Sequence, residues 1–116
     1  MKTPFGGRIL LLGCGAVSVC VQPLLLRHLE MDFSRLTIMD FLDQRHLIAD
    51  TLAAGATYVQ HKITPDNMAE TLAQYVGPGD LLIDLAWDID TCEIIEWCHE
   101  HDVMYINTSV EVWDPY

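Results

Sequence analysis

Residues 8–18, Arg8-Ile-Leu-Leu-Leu-Gly-Cys-Gly-Ala-Val-Ser18, decide the fold of this chain. Ile9–Leu12 is an unbroken aliphatic run, which is typical of a strand buried on both faces of a parallel sheet. The run ends at Gly13, Gly15 follows two positions later, and residues 17–29 have the pattern of a helix. A strand, a glycine turn and a helix in this order predict the start of a βαβ unit of the kind that binds dinucleotides.

The two glycines have different expected roles. Gly13 permits the tight turn after the strand, and Gly15 lets the backbone come close to a pyrophosphate. The pyrophosphate would rest on unpaired backbone N–H groups at the positive end of the helix dipole. We therefore assign Gly13, Gly15, Ala16 and Val17 to a cofactor site. Ser18 stands where the fingerprint has a third glycine or an alanine, and an ordinary turn of an α/β protein is the alternative.

A second apolar run, residues 36–39, ends in Asp40. An acidic side chain at the end of the second strand can accept hydrogen bonds from the 2′-hydroxyl of an adenosine ribose. A 2′-phosphate at this place would meet a like charge, so Asp40 favours NAD over NADP. Arg45 argues in the opposite direction, since an arginine can neutralise a 2′-phosphate. We predict NAD as the cofactor and Asp40 as a residue that binds its ribose.

The rest of the sequence alternates helices and strands. Predicted helices cover residues 44–54, 64–76 and 90–101, and predicted strands cover residues 57–60, 81–86 and 103–107. Five strands joined by four helices, with right-handed crossovers, make a parallel sheet. The expected fold is α/β of the Rossmann type, with three αβα layers and a sheet of about five strands in the order 3-2-1-4-5.

Composition limits the classes of function. The chain has 116 residues, 51% of them hydrophobic, and a formal net charge of −11. This size allows one packed domain. The acidic balance argues against non-specific binding to nucleic acid or to an anionic membrane. It suits a cationic ligand, although an acidic surface also serves solubility. The N-terminus has no signal-peptide pattern, and no apolar stretch is long enough to span a bilayer.

Cysteine and histidine spacing predicts neither disulfides nor a metal site. The four cysteines form no C-x-x-C pair: Cys14, Cys20, Cys92 and Cys98. Free thiols of this kind fit a reducing, cytoplasmic location. His99 and His101 do not share a helix face, so the segment 98–101 reads as a solvated helix end and we expect no metal.

Acidic and aromatic residues follow the fourth and fifth predicted strands, where ligands of open α/β sheets bind. Asp88 and Glu111 lie there beside Trp87 and Trp113. A carboxylate next to an indole face suits an organic cation, through charge pairing and cation–π attraction. The alternative is that the tryptophans pack against another domain. Residues 63–116 contain no lysine or arginine, which favours a cationic substrate over an anionic one.

Two further aspartates flank this region. Asp90 precedes the fourth predicted helix and is expected to cap its N-terminus. Asp84 lies within the fourth strand, where it is either a satisfied buried carboxylate or a residue of the sheet end. We include Asp84 among the predicted cofactor-binding residues.

Four segments resemble the N-terminal part of the bacterial homospermidine synthase family, in the saccharopine dehydrogenase-like group. They are residues 8–18, Gln22-Pro-Leu-Leu-Leu-Arg-His28, residues 81–90 and Tyr105-Ile-Asn-Thr-Ser-Val-Glu-Val-Trp113. The last segment is the most specific, because many dehydrogenases share the nucleotide fingerprint. The resemblance spans nearly the whole chain but covers only the first third or less of such an enzyme. Residues 1–116 are therefore expected to form a single dinucleotide-binding domain, the N-terminal part of a longer enzyme.

The resemblance implies an NAD-dependent aminobutyl transfer between polyamines. In that family NAD takes a hydride from an amine carbon of putrescine or spermidine, and the resulting imine exchanges its nitrogen for that of a second putrescine. The reduced cofactor then returns the hydride, which gives homospermidine. Asp88, Glu111 and Trp113 would hold the ammonium groups of the substrate. The catalytic groups would lie beyond residue 116, so this chain alone is expected to be inactive.

Two other functions compete with this hypothesis. One is a saccharopine dehydrogenase-like NAD(P) oxidoreductase that acts on an amino acid. The other is a non-catalytic module that senses NAD, for which a dimer formed through an exposed edge strand would be natural. A homodimer of the longer enzyme is also compatible with the sequence.

Overall fold

The computed structural model describes residues 1–113 and contains a parallel sheet of five strands. In chain order the strands of the protein are β1 (Thr3–Pro4), β2 (Ile9–Leu12), β3 (Leu29–Glu30), β4 (Leu36–Asp40), β5 (Thr57–Gln60), β6 (Leu81–Asp84) and β7 (Met104–Asn107). The main sheet has the order β5-β4-β2-β6-β7. This arrangement confirms the predicted order 3-2-1-4-5. The short strands β1 and β3 pair with each other in a separate two-stranded sheet, which the sequence did not predict.

Helices cover both faces of the sheet. They are α1 (Ala16–His28), α2 (Ala49–Ala53), α3 (Met68–Tyr75) and α4 (Thr91–Glu100), with short 3₁₀ turns at Phe33–Arg35 and Arg45–Leu47. Helices α3 and α4 pack on one face through Leu72 and Ile94. Helices α1 and α2 contribute to the hydrophobic cluster on the other face. None of the helices within residues 1–113 has the length and apolarity needed to cross a membrane.

Strand β2 is the centre of the sheet. All four of its residues are buried, because successive side chains point to opposite faces and both faces are covered. Leu10 and Leu12 join the cluster under α3 and α4, while Ile9 and Leu11 join the cluster under α1 and α2. Strand β2 pairs with β4 on one side and β6 on the other. Its carboxyl end is therefore the topological switch point of the sheet, where open α/β sheets bind ligands.

Two predicted helices begin differently in the structure. The helix expected over residues 44–54 is a 3₁₀ turn followed by α2, with the break at Ile48. The helix expected from Thr64 begins at Met68. Asn67 explains the second difference, because its side chain accepts a hydrogen bond from the Thr64 N–H at 2.8 Å and donates one to the Lys62 carbonyl at 3.0 Å. These local bonds stabilise a turn that competes with the first helical turn.

The cap predicted for the N-terminus of α4 is present. Asp90 accepts a hydrogen bond from the Glu93 N–H at 3.0 Å, which caps the N-terminus of α4. Gly55 follows α2 with a φ of +116°, a left-handed conformation that glycine adopts without steric cost. The turn from α2 into β5 is therefore encoded locally.

Candidate functional site

A cleft of about 440 Å³ lies at the carboxyl ends of β2, β4 and β6. Six of the nine residues predicted to bind cofactor or substrate line it: Gly13, Gly15, Ala16, Val17, Asp40 and Asp88. The first turn of α1 lies at its centre. The loop after β4 and the loop after β6 form its two ends. The topology thus brings together side chains that are far apart in the sequence.

Gly13 makes the turn that closes the cleft floor. Its φ is +90°, and its N–H donates to the Met39 carbonyl at 2.7 Å. A Cβ at this position would lie 2.8 Å from the Leu85 carbonyl oxygen. Because that neighbour is backbone, no side-chain movement relieves the clash. Gly13 is therefore required both by its conformation and by the close approach of the loop after β6.

Gly15 has a different environment. Its φ of −89° is open to any residue, and a Cβ added there would meet nothing within 4 Å. The space beside Gly15 belongs to the cleft. Gly15, the N-cap of α1, makes no side-chain capping bond, and no acidic residue occurs in the first turn. Its N–H groups and the helix dipole therefore face an opening that fits the pyrophosphate of a dinucleotide.

Ser18 fits the position of the third small residue of the fingerprint. It is buried and its hydroxyl accepts a hydrogen bond from the buried Gln22 side chain at 3.1 Å. The pair satisfies the serine hydroxyl on the inner face of α1. A hydroxyl in place of the usual glycine or alanine is thus accommodated without loss of close packing.

Asp40 ties the end of β4 to the glycine turn. One carboxylate oxygen accepts the Cys14 N–H at 2.7 Å, and the other accepts the Leu42 N–H at 2.9 Å. Each carboxylate oxygen has a further lone-pair site, so Asp40 can still accept a hydroxyl from the cleft. Its position fixes the shape of the turn as well as the charge at this end of the cleft.

Arg45 and Lys62 differ in their relation to the cleft near Asp40. Arg45 forms an ion pair with Asp43 at 3.0 Å and lies over the Tyr58 ring at 5.0 Å. Lys62 does line the cleft, on the side of Asp40. Sequence reasoning missed Lys62, although its place directly after the strand that pairs with β4 was a usable signal. The basic residue that a 2′-phosphate could reach is therefore Lys62 rather than Arg45.

Asp88 and Glu111 lie on adjacent loops. The Asp88 N–H donates to a carboxylate oxygen of Glu111 at 3.3 Å, and Asp88 has a φ of 61°, which is uncommon outside glycine. Glu111 is itself held by Thr91, through its N–H at 2.8 Å and its carbonyl at 3.0 Å. Hydrogen bonds therefore connect the first residue of α4 to Glu111, and Glu111 to Asp88. We call Asp88 and Glu111 the acidic corner.

Trp113 and Trp87 have different surroundings in the structure. Trp113, predicted to touch the substrate, packs against the core under α3 and α4, and its indole N–H donates to the Glu93 carboxylate. It does not line the cleft, whereas Trp87 does. The Trp87 side chain is 82% exposed. The aromatic residue at the mouth of the cleft is thus Trp87, which sequence reasoning considered but did not assign.

Asp84 does not line the cleft either. It is 4% exposed, and its carboxylate accepts the Tyr105 hydroxyl at 2.7 Å and the Ala86 N–H at 3.2 Å. Burial raises the pKa of the Asp84 carboxyl above its ordinary value of 3.8. Burial and the Asp84 hydrogen bond also raise the pKa of Tyr105. This geometry gives no support to the predicted contact between Asp84 and a cofactor; it matches the alternative of a satisfied buried carboxylate.

All four cysteines have free thiols, with Cys14 and Cys98 buried and Cys20 and Cys92 exposed. Within the described residues 1–113, no group of three or more histidine, cysteine or acidic side chains is arranged to hold a metal ion. The polar groups that line the cleft include backbone N–H groups of the glycine turn, the side chains of Asp40 and Asp88, and the basic side chains of His61 and Lys62, with Trp87 as an exposed indole.

A parallel sheet with this order, a glycine turn at its switch point and an acidic residue on the neighbouring strand define a dinucleotide-binding domain of the Rossmann type. A family model for the saccharopine dehydrogenase NADP-binding domain matches residues 9–115. The chain belongs to this family. The family confirms the prediction of a nicotinamide dinucleotide cofactor.

Curated relatives are homospermidine synthases. The protein of Blastochloris viridis is 33% identical over 110 residues, which are 92% of this chain and 23% of that protein. The protein of Mesorhizobium japonicum is 28% identical over 110 residues, which are 92% of this chain and 22% of that protein. The chain thus spans less than a quarter of the length of these relatives.

Two solved structures align with nearly the whole of this chain. The homospermidine synthase of Legionella pneumophila, solved in complex with NAD, aligns with a TM-score of 0.90 and 26% identity. The alignment covers 97% of this chain and 24% of that one. Galactitol-1-phosphate dehydrogenase of Escherichia coli aligns with a TM-score of 0.50 and 12% identity, over 97% of this chain and 39% of that one. The second likeness is one of fold alone.

Proposed function

We propose that this chain binds NAD as the cofactor domain of a homospermidine synthase. The observation that carries the proposal is the glycine turn at the cleft. Gly15 leaves an opening beside the uncapped first turn of α1, and Asp40 braces that turn through the Cys14 N–H at 2.7 Å. An anion is favoured at such a helix end by the N–H groups and by the dipole.

The direction of the dinucleotide follows from the two ends of the cleft. Asp40 supports placement of the adenosine ribose at the end of β4, because an acidic residue there accepts the ribose hydroxyls. With the pyrophosphate at Gly15, the nicotinamide half extends toward the loop after β6. That loop carries Trp87 and Asp88, which line the cleft.

The preference for NAD over NADP rests on charge. A 2′-phosphate near Asp40 would have to be buried against a carboxylate whose two oxygens already hold backbone N–H groups. Lys62 lies on the same side of the cleft and is exposed, so water and salt screen its attraction for a phosphate. The nearby carboxylate is the stronger influence, and NAD is the expected cofactor.

The substrate class follows from the acidic corner at the other end. Asp88 and Glu111 are joined by a hydrogen bond, and residues 63–116 contain no lysine or arginine to balance them. Asp88 lines the cleft, and Glu111 adjoins it through that bond without lining the cleft; a pair of carboxylates at this end suits the ammonium groups of a polyamine. The bound cofactor supplies hydride removal and return. The residues of this chain bind it, orient it and hold the cationic substrate, while aminobutyl transfer itself belongs to the whole enzyme.

The cofactor half of the proposal is tested by titration calorimetry with NAD. Gly15→Val should abolish binding, because the valine side chain fills the opening while the backbone conformation accepts it. Gly6→Val is the matched control, since a Cβ there also meets nothing within 4 Å but lies away from the cleft. Unchanged NAD affinity in Gly15→Val, with the fold intact by circular dichroism, would contradict the proposal.

The substrate half is tested by titration of the NAD-saturated chain with putrescine. Glu111→Gln keeps an oxygen that can accept the Asp88 N–H but removes the charge. It should weaken putrescine binding by ~1–3 kcal/mol, the value of a hydrogen bond to a charged group, and leave NAD affinity unchanged. Glu100→Gln, at the exposed far end of α4, is the control for net charge. If the unmutated chain does not bind putrescine, or if Glu111→Gln and Glu100→Gln weaken putrescine binding equally, the polyamine assignment is wrong.

A further inference from the structure

Trp87 is exposed to an extent that packing among residues 1–113 does not explain. Its side chain is 82% exposed, whereas Trp97 is buried and stacked on His101 with ring centroids 4.1 Å apart. Trp113 is half-buried and packs against the core. A large indole left in water at the mouth of a cleft is informative, because buried indoles are the stabilising ones.

The position of Trp87 is set by the sheet. Strand β6 runs beside β2, and the Leu85 N–H donates to the Leu12 carbonyl at 2.9 Å. The loop that carries Trp87 therefore leaves the sheet directly beside the turn at Gly13. Trp87 and Gly15 line the same cleft, and Trp87 lies on the opposite side of the turn from Asp40.

The corner next to Trp87 is held in place. Asp88 adopts a left-handed conformation with a φ of 61°, and its N–H is bound by Glu111. Thr91 in turn clamps Glu111 through its N–H and its carbonyl. The backbone on the C-terminal side of Trp87 is therefore fixed, which keeps the indole at the cleft.

We propose that the Trp87 indole stacks against the nicotinamide ring and thereby makes this chain distinguish NAD from ADP-ribose. The inference rests on the proposed function, because it takes the orientation of the dinucleotide from it. An oxidised nicotinamide ring is aromatic and cationic, so an indole face attracts it by stacking and by cation–π interaction. ADP-ribose has the adenosine and the pyrophosphate but lacks the ring.

The test compares NAD and ADP-ribose on the same variants by titration calorimetry. Trp87→Leu should weaken NAD binding roughly three- to tenfold, as expected for the loss of one aromatic pair, and leave ADP-ribose affinity unchanged. Trp87→Phe keeps an aromatic face and should therefore retain most of the difference in affinity between NAD and ADP-ribose. Ile95→Ala, at an exposed position of α4 that does not line the cleft, should affect neither ligand.

The outcomes separate this inference from the proposed function. Equal weakening of both ligands in Trp87→Leu would mean that Trp87 only supports the loop, and unchanged affinity for both would mean that the ring lies elsewhere. Either result overturns the inference while NAD binding by the unmutated chain stands. Failure of the unmutated chain to bind NAD would overturn the proposed function, and the inference with it.

Discussion

Asp40 is proposed to serve the fold and the cofactor at once. Its two oxygens hold the Cys14 and Leu42 N–H groups, so it shapes the turn on which the pyrophosphate is proposed to rest. The same charge is what disfavours a 2′-phosphate. Substitution therefore has two effects, and only a comparison of the two cofactors separates them.

Asp40→Asn is predicted to shrink the preference for NAD over NADP. The amide removes the repulsion of the 2′-phosphate and weakens the charge-assisted bond to the ribose, a change of ~1–3 kcal/mol in the difference between the two binding free energies. Affinity for both cofactors should also fall somewhat, because one N–H loses its acceptor. Asp66→Asn, which is exposed and does not line the cleft, is the control for net charge in a calorimetric comparison. Equal affinity of the unmutated chain for NAD and NADP would contradict this role.

At the residue scale, sequence reasoning located residues of the cleft where the backbone decides their position. Gly13, Gly15 and Asp40 could be placed because a strand–turn–helix unit leaves few geometries for them. Trp113 and Asp84 could not be placed, because their surroundings depend on side chains from other elements. The Trp113 indole finds Glu93 on α4, and Asp84 finds Tyr105 on β7. Neither partner can be identified from local spacing.

At the scale of elements, the N-terminus of α4 connects the fold to the proposed substrate end. Its first residue, Thr91, clamps Glu111, and its cap, Asp90, accepts the Glu93 N–H. A loosened first turn would therefore also loosen the acidic corner. The cap is a local interaction with a known value, so its contribution can be measured separately.

Asp90→Ala is predicted to lower the free energy of unfolding by ~1 kcal/mol, the usual cost of a lost N-cap. Urea unfolding followed by circular dichroism measures it. Glu96→Ala removes the same charge from an exposed position on the same helix and should change stability by less than ~0.5 kcal/mol. Equal losses in the two variants would show that net charge, and not the cap, is responsible.

Elements were predicted well where apolar periodicity is strong and less well where side chains interrupt it. Strand Thr57–Gln60 has the predicted bounds, and the strand order follows from the alternation of helices and strands. The late start of α3 comes from the side chain of Asn67. The pairing of β1 with β3 involves only two residues of each strand. A strand this short shows no alternation of apolar and polar residues from which it could be predicted.

In the molecule as a whole, the two ends of the sheet differ in structure: one is closed by a buried hydrogen-bond cluster and the other opens into the cleft. At the amino ends, the buried Asp80 accepts the Arg8 N–H at 2.7 Å, the Arg8 side chain at 2.9 Å and the Gly77 N–H at 2.8 Å. At the carboxyl ends, backbone N–H groups and carboxylates line an open cleft. The Asp80 cluster thus stabilises the end of the sheet that is opposite the cleft. Asp84 lies between them, as a buried acid under the cleft.

Asp84 predicts a pH dependence of stability. Its folded-state pKa lies above the ordinary value of 3.8 because burial disfavours the charged form. The folded chain therefore holds this proton more tightly than the unfolded chain. The resulting stability is fully present below the unfolded pKa and is lost as the pH rises through the folded pKa.

Asp84→Asn should remove this component, because the amide does not titrate and can still accept the Tyr105 hydroxyl. Urea unfolding at a series of pH values, for the chain and for the variant, measures the difference. Asp66→Asn, which is exposed, should leave the pH profile unchanged. A difference between the chain and Asp84→Asn that is the same at every pH would contradict the raised pKa.

The central claim is that NAD binds across the switch point of the sheet, with its pyrophosphate at the start of α1. The most direct measurement is a titration of the ¹⁵N-labelled chain with NAD, followed by amide and indole signals in two-dimensional NMR spectra. The largest shifts are predicted at Gly13, Gly15, Ala16 and Val17 and at the Trp87 indole, while the signals of Arg8 and Asp80 at the opposite end of the sheet stay in place. Saturating NAD that leaves the glycine turn unshifted, or that shifts the Arg8 end most, would contradict the account.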